Sequence, residues 1–232
     1  MQAVILAGGL GTRLKEVVKE LPKPMAEING RPFLEYLLDY LKNQGVNKVI
    51  LSVGYKYELI QEYFKQNYRG IELEYSVESY PLGTGGALKL ALSKASEENC
   101  FIINGDTLFE VDLKRLESFH LQKNSDITFS LKEMLDFERY GTVITNETGR
   151  ITGFEEKKYK KYGLINGGVQ IIRSNLFNSF DLEEKFSFEV DFIEKNYSGL
   201  NLYALAFDSY FIDIGIPEDY SRSQKEFKLL TF

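Results

Sequence analysis

The chain has 232 residues, and its 28 Lys and Arg against 34 Asp and Glu give a formal charge of −6, which leaves no basic footprint for nucleic acid. Its length suits one larger α/β domain, and the lone cysteine, Cys100, excludes an intramolecular disulfide, so the cytoplasm is the expected compartment. No apolar run reaches the roughly 18 residues of a membrane span, and the first residues already read as a core strand, so neither a span nor a signal peptide is expected.

Gln2 to Ala7 is a short apolar run with the character of a buried strand. It leads into Gly8-Gly9-Leu10-Gly11-Thr12-Arg13-Leu14 and then Pro22-Lys23-Pro24-Met25. After Arg31-Pro32, the apolar residues Phe33, Tyr36, Leu37, Tyr40 and Leu41 recur at helical spacing, and Gly45 ends that helix. Val46 to Val53 follows as a strand, Tyr57 to Phe64 as a helix, Ile71 to Val77 as a strand, Gly85 to Lys94 as a helix and Cys100 to Ile103 as a strand. Cys100 enters that last strand as a buried small apolar residue. Strand and helix alternating in this way imply a mainly parallel central sheet flanked by helices, with ligands gathering beyond the carboxyl ends of the strands.

The second half changes texture. Asp126 to Lys132, Gly141 to Thr145, Arg150 to Phe154 and Leu164 to Ile172 are strands in near succession, hence antiparallel additions to the sheet. Helices are expected near Phe188 to Asn196 and Pro217 to Lys228. His120, the only histidine, falls in an amphipathic helical stretch and is expected to be exposed or to act as a cap. The charged run Glu155 to Lys161 reads as a solvated loop, which gives Lys158, Lys160 and Lys161 no role.

Three stretches carry chemistry. The glycine loop after the first strand suits a phosphate, because glycines let backbone N–H groups approach an anion while Thr12 and Arg13 add donors. It lacks the spacing and the Lys of a Walker loop. It also lacks the third glycine of a dinucleotide fingerprint, since Leu14 stands there, and the strand ending at Gly54 supplies no acidic partner. In Asn104-Gly105-Asp106-Thr107 a carboxylate follows a glycine where a strand leaves the sheet and can reach a Mg2+ ion, the alternative being a turn in which Asp106 caps the following helix. Asp213, between apolar residues in Phe211-Ile212-Asp213-Ile214-Gly215, is a carboxylate whose charge calls for a cation. Glu218 and Asp219 follow Pro217 at a helix start and are read as complementing the helix dipole.

Gly-Gly-x-Gly-Thr-Arg-Leu followed by Pro-Lys-Pro resembles the signature of the sugar-1-phosphate nucleotidyltransferases, and the likeness continues to about Tyr220. It implies a Rossmann-like nucleotidyltransferase fold, α/β in class, in a single domain over 1–232 with a nucleotide-binding half of about 1–125 and a sugar-binding half of about 126–232. It implies Arg13 and Lys23 as catalytic residues. Nucleotide binding would fall to Leu6, Ala7, Gly8, Gly9, Gly11, Thr12, Arg13, Lys23 and Glu78, with the base set against Leu82, Gly83, Thr84 and Gly85. Asn104, Gly105, Glu156, Lys157, Asn166 and Gly167 would meet the sugar phosphate, and Asp106 and Asp213 would hold Mg2+.

The expected partners are an NTP and a sugar 1-phosphate, with no nucleic acid and no membrane; a homo-oligomer is compatible with the sequence. Pro-Leu-Gly-Thr-Gly-Gly-Ala-Leu with Phe-Ile-Asp-Ile-Gly-Ile-Pro-Glu-Asp-Tyr is most similar to guanylyltransferases that act on D-glycero-α-D-manno-heptose 1-phosphate, which makes GTP the expected donor. Alternatives are another sugar-1-phosphate or phosphocholine nucleotidyltransferase and a non-catalytic regulatory module on the same fold. The module typically loses the Lys or the metal carboxylates, which are kept here, and a glycosyltransferase would show Asp-x-Asp where this chain has Asn104-Gly105-Asp106.

Overall fold

The computed structural model describes residues 1–9 and 21–229. Its first half runs β1 (Gln2–Leu6), β2 (Glu27–Ile28), β3 (Arg31–Pro32), α1 (Phe33–Asn43), β4 (Lys48–Val53), α2 (Tyr57–Phe64), β5 (Asn67–Tyr68), β6 (Ile71–Val77), α3 (Gly83–Leu92) and β7 (Asn99–Asn104). The second runs β8 (Thr107–Phe109), α4 (Leu113–Lys123), β9 (Ile127–Phe137), β10 (Thr142–Thr145), β11 (Ile151–Glu155) and β12 (Lys160–Arg173). A π-helical turn, Phe188–Ile193, then passes into α5 (Glu194–Asn196), and β13 (Leu202–Ala206), β14 (Phe211–Asp213) and α6 (Pro217–Glu226) complete the described chain. Among the described residues no helix is long and apolar enough to cross a membrane.

One eight-stranded sheet in the order β13-β9-β12-β7-β1-β4-β6-β5 threads both halves. β1 pairs in parallel with β4 on one side and β7 on the other, and β4 with β6. Central strands covered on both faces read as unbroken apolar runs, because side chains alternate between two cores. Ile5, Leu51 and Ile103 enter the core that holds α1, while their chain neighbours Val4, Ile50 and Ile102 enter the other, with Leu88, Ala91 and Leu92 of α3. β4 follows β1 to one side and β7 lies to the other, so the strand order reverses beside β1 and opens a crevice at the carboxyl ends of the strands.

The antiparallel additions are β12 against β7 and β9 against β12. These two strands run longer than the sequence patterns mark, because pairing continues to Phe137↔Lys160 past the end of the apolar stretch. Lys160 is thereby drawn out of the expected solvated loop, and its ammonium pairs with Glu155, which also accepts from Thr142 Oγ1 at 2.8 Å. The β9–β12 register shifts between Asn166 and Gln170, a bulge that re-aims the backbone beside β7. The edge strand β13 adds to β9 in parallel, and neither it nor the short β8 stands out in the sequence. α3 starts at Gly83, two residues before the expected Gly85, because the carbonyl of Phe186 accepts the Gly85 N–H at 2.9 Å and satisfies its first turn.

His120 overturns its expected exposure: on α4 it is only 2 % exposed. Its Nε2 lies 3.1 Å from Asn99 Oδ1 and its Nδ1 2.9 Å from the Thr128 hydroxyl. Asn99 Oδ1 only accepts, so Nε2 carries the proton and Nδ1 accepts from Thr128. Burial, helped by the charge of Arg173, lowers the imidazole pKa to about 4. An unfolded His keeps a pKa near 6.5, so the unfolded chain binds the extra proton between these values, and this contribution is present above pH 6.5 and lost as pH falls toward 4. Denaturant unfolding at pH 7 and pH 4.5 should show His120→Gln losing less stability on acidification than the unsubstituted protein, by up to about 3 kcal/mol. Equal losses in the two proteins would show that His120 does not titrate in this range.

Candidate active site

A cavity of about 380 Å3 opens in that crevice. Leu6 from the end of β1, Ser52 from β4, Ile102 and Asn104 from β7 and Gln170 from β12 lie along the sheet side. Gly83, Thr84 and Ala87 of α3 and Phe188 and Glu189 of the π-helical turn face them. Ala7, Gly8, Gly9, Lys23, Glu78, Gly105 and Asp106 complete most of the rest of the lining. Gly11, Thr12 and Arg13 of the expected phosphate loop lie outside the described residues.

Two close backbone approaches shape this site. A Cβ on Gly8 would stand 2.5 Å from Glu78 Oε1, and one on Gly105 would stand 2.6 Å from the carbonyl oxygen of Leu6. Glycine at both positions lets the chain pass under the Glu78 carboxylate and lets the Gly105 N–H donate to Leu6 O at 3.0 Å. Glu78 is anchored by the Leu82 N–H, which donates to Oε2 at 2.9 Å, and burial pushes its carboxyl above the usual range.

Lys23 begins a single 3-10 turn, Lys23–Met25, preceded by Pro22 and containing buried Pro24 and Met25. That turn aims its ammonium at Asp106 Oδ2, with which it pairs. Asp213 arrives from the far end of the chain because β14 pairs antiparallel with β8, setting Asp213 opposite Thr107, and the Ile214 N–H donates to the Asp106 carbonyl at 2.9 Å. Asp213 Oδ1 accepts from the Gly215 N–H at 2.7 Å, and Oδ2 accepts from the Tyr140 hydroxyl at 3.2 Å with Arg139 Nη2 at 3.8 Å. Burial, and then the charge of Asp106, raise the Asp213 pKa; the Gly215 N–H, Lys23 and Arg139 oppose the shift. Two carboxylates and an ammonium are thus gathered on one side of Gly215, where a Cβ would lie 2.7 Å from Asp213 Oδ1 and 3.2 Å from Lys23 Nζ.

Among the described residues no group of three or more His, Cys, Asp or Glu side chains is assembled that could hold a metal by itself. Two carboxylates suit Mg2+, which takes one or two from protein and completes its octahedron with water and substrate phosphates. Asp219, expected only to complement a helix dipole, sits in the first turn of α6 and also binds Arg139 at 2.7 Å and Arg222 at 3.2 Å. It therefore also anchors the Arg139 that approaches Asp213.

The remaining expected site residues divide. Gly83 and Thr84 line the cavity, whereas Leu82 and Gly85 are turned to the Phe186 segment. The Leu82 carbonyl accepts the Phe186 N–H at 3.0 Å, and a Cβ on Gly85 would run into the Phe186 ring. Asn166 stands at the bulge with Oδ1 accepting from the Gly168 N–H at 3.0 Å, and Gly168, at φ +77°, leaves room for the Asn104 side chain. Gly167 is packed under the Phe109 ring, so its lack of a side chain serves the core. Glu156 and Lys157 are exposed beyond β11 and are not in the cavity wall.

Pro24, Ser52, Pro81, Ala87, Ile102, Gln170, Phe188 and Glu189 line the cavity although the sequence assigned them no role there; Pro24, Pro81 and Ala87 fall within the motifs quoted above, and the other five do not. A signal existed for two of them: Ser52 and Gln170 are polar residues inside apolar strands. Neither Cys100 nor His120 supplies a nucleophile, since Cys100 is buried with its thiol pushed up to about 12 and His120 is committed to Thr128 and Asn99. The arrangement can neutralise and orient phosphates.

The chain is 54% identical over 226 residues, 97% of its length and 98% of the relative's, to a D-glycero-alpha-D-manno-heptose 1-phosphate guanylyltransferase from Aneurinibacillus thermoaerophilus. It is also 54% identical over 220 residues to the Campylobacter jejuni protein of the same name, covering 95% of this chain and 97% of that one. A crystal structure of HddC from Yersinia pseudotuberculosis complexed with GMP-PN superposes with a TM-score of 0.86 at 39% identity, over 97% of this chain and 99% of that one. The nucleotidyl transferase family pattern matches residues 2–228, and with the crevice, its lysine and its two carboxylates in one mixed α/β sheet, the chain belongs to the nucleotidyl transferase family.

Proposed function

We propose that this protein transfers the guanylyl group of GTP to D-glycero-α-D-manno-heptose 1-phosphate, giving the GDP-sugar and pyrophosphate. The observation that carries the substrates is the 54% identity, over nearly the whole of both chains, to two proteins bearing that activity in their names. A sugar 1-phosphate is largely dianionic at neutral pH, taking the phosphomonoester value near 6, and needs no side-chain base. Its phosphate oxygen bonds to the α-phosphorus of GTP while the bond from that phosphorus to the β-phosphate oxygen breaks, and pyrophosphate leaves with the electron pair.

The chain's own task is positioning and charge neutralisation. Lys23 meets the phosphates from its proline-flanked turn, and Arg13 adds a second cation from the glycine loop. Asp106 and Asp213 hold Mg2+, whose charge when bound offsets that of the phosphates. The Glu78 carboxylate accepts from the N1–H and 2-amino group of guanine, and Gly83 and Thr84 flank the base. Asn104 and Asn166 serve the sugar side, with the single domain divided into a nucleotide half and a sugar half. Glu156 and Lys157 serve the sugar phosphate from the mouth of the site.

A panel of GTP, ATP, UTP, CTP and dTTP crossed with sugar 1-phosphates, read by pyrophosphate release, tests the reading. GTP with the heptose phosphate should win by about tenfold to a hundredfold, the cost of leaving a buried polar group unpaired with the wrong base. Faster turnover of UTP or dTTP with glucose 1-phosphate would overturn the substrates and leave the reaction class standing.

A further inference from the structure

Gln170 is the one buried polar side chain in the cavity whose bonding is left incomplete among the described residues. It is 4 % exposed, it lines the cavity, and its Oε1 has no hydrogen-bond partner. Its Nε2 reaches only Asn166 Oδ1, at 3.5 Å. Gln170 stands opposite Ile102 of β7 and Phe129 of β9, beside Ile171 and Val169, where an apolar side chain would pack without leaving an acceptor dry. The bulge that begins after Asn166 ends at Gln170, so the strand is reshaped just where this side chain enters the cavity.

We infer that Gln170 is a specificity-determining residue for the acceptor sugar, its Oε1 taking a hydrogen bond from a sugar hydroxyl. An acceptor oxygen calls for a ligand donor, and phosphates ionised at neutral pH supply none. Guanine has donors, but Glu78 reaches the crevice from the β6 side and lies over Gly8 at the end of β1. Gln170 enters from β12, with β7 between β12 and β1, a displacement of about 10 Å at ordinary strand spacing. That leaves Gln170 to the end of the cavity opposite Glu78, beside β7, whose last residue, Asn104, also lines the cavity. The assignment rests on the sugar 1-phosphate reading above, and it is independent of which base or which sugar is used.

Gln170→Met keeps the length of the side chain and removes the acceptor. With GTP and heptose 1-phosphate the variant should show a KM for the sugar phosphate raised about tenfold to a hundredfold, a KM for GTP within about twofold, and an undiminished melting temperature. Across monodeoxy sugar 1-phosphates, one analogue should be penalised by the unsubstituted protein and no longer penalised by the variant. A purely structural role would instead lower the melting temperature and leave the deoxy penalties alike in both proteins, and that outcome overturns the inference. An unchanged sugar KM, or an equal rise for GTP, overturns it too.

Should the unsubstituted protein not turn over GTP with the heptose phosphate, the proposed substrates fail. Thermal shifts with a panel of sugar 1-phosphates then decide Gln170 separately. Any sugar phosphate that stabilises the unsubstituted protein should stabilise Gln170→Met less. Equal stabilisation, or none by any sugar phosphate, overturns the inference.

Discussion

Lys23→Ala is expected to lower turnover by more than about a hundredfold, a loss of roughly 2.7 kcal/mol in transition-state stabilisation and the scale of one aimed donor. Lys23 cannot be replaced by a mobile surface cation, because the turn from Pro22 to Met25 fixes where its side chain starts and Asp106 fixes where it ends. Without it, Asp106 and Asp213 face one another with less compensation. The Asp213 carboxyl, already raised by burial and by Asp106, loses one of the charges that oppose the rise. Pyrophosphate release at saturating substrates measures the effect, and an unchanged melting temperature would show that the fold is intact. Normal turnover in the variant would remove Lys23 from the site.

The second large effect is expected at Asp213. Asp213→Asn should cut turnover by about a hundredfold and raise the Mg2+ concentration for half-maximal activity by about tenfold or more, since a neutral amide is a far poorer ligand for a hard cation than a carboxylate. The amide oxygen can still accept the Gly215 N–H, so the β14 end keeps its shape. Removing one of two neighbouring, partly buried carboxylates also relieves the repulsion that raises the Asp213 pKa, so the melting temperature should hold or rise without metal. Activity titrated against Mg2+ separates this from a folding defect. A titration curve that does not move would mean that Asp213 is not a ligand.

Much of this protein is determined locally. The alternation of apolar strand and amphipathic helix from β1 to β7 is legible because each element's period is set by its own residues, and Phe33, Tyr36, Leu37, Tyr40 and Leu41 mark α1 without reference to anything else. The glycine loop, Pro22-Lys23-Pro24 and the two carboxylates are likewise visible as types and spacings, and their roles follow from resemblance to a family. Only the tertiary structure decides which of them meet. Asp106 and Asp213 come together because β8 and β14, three residues each, form a ladder between distant parts of the chain, and strands so short carry too few side chains to announce a partner.

Long-range contacts also set what individual polar residues do. His120 is buried because Thr128 and Asn99, from β9 and β7, satisfy both ring nitrogens, a compensation that no helical pattern can reveal. Lys160 leaves its solvated run because β12 extends its pairing along β9, and Glu155 meets it there. Gly85 and Gly167 look like ligand-facing glycines in sequence and are spaces for the rings of Phe186 and Phe109 in the fold. The sequence by itself therefore determined the parallel strands at the centre of the sheet, the main amphipathic helices and the chemical kinds available. The fold decided which buried polar atoms are satisfied and which, as at Gln170, are left without a partner, because hydrogen-bond satisfaction depends on neighbours that the chain brings together only on folding.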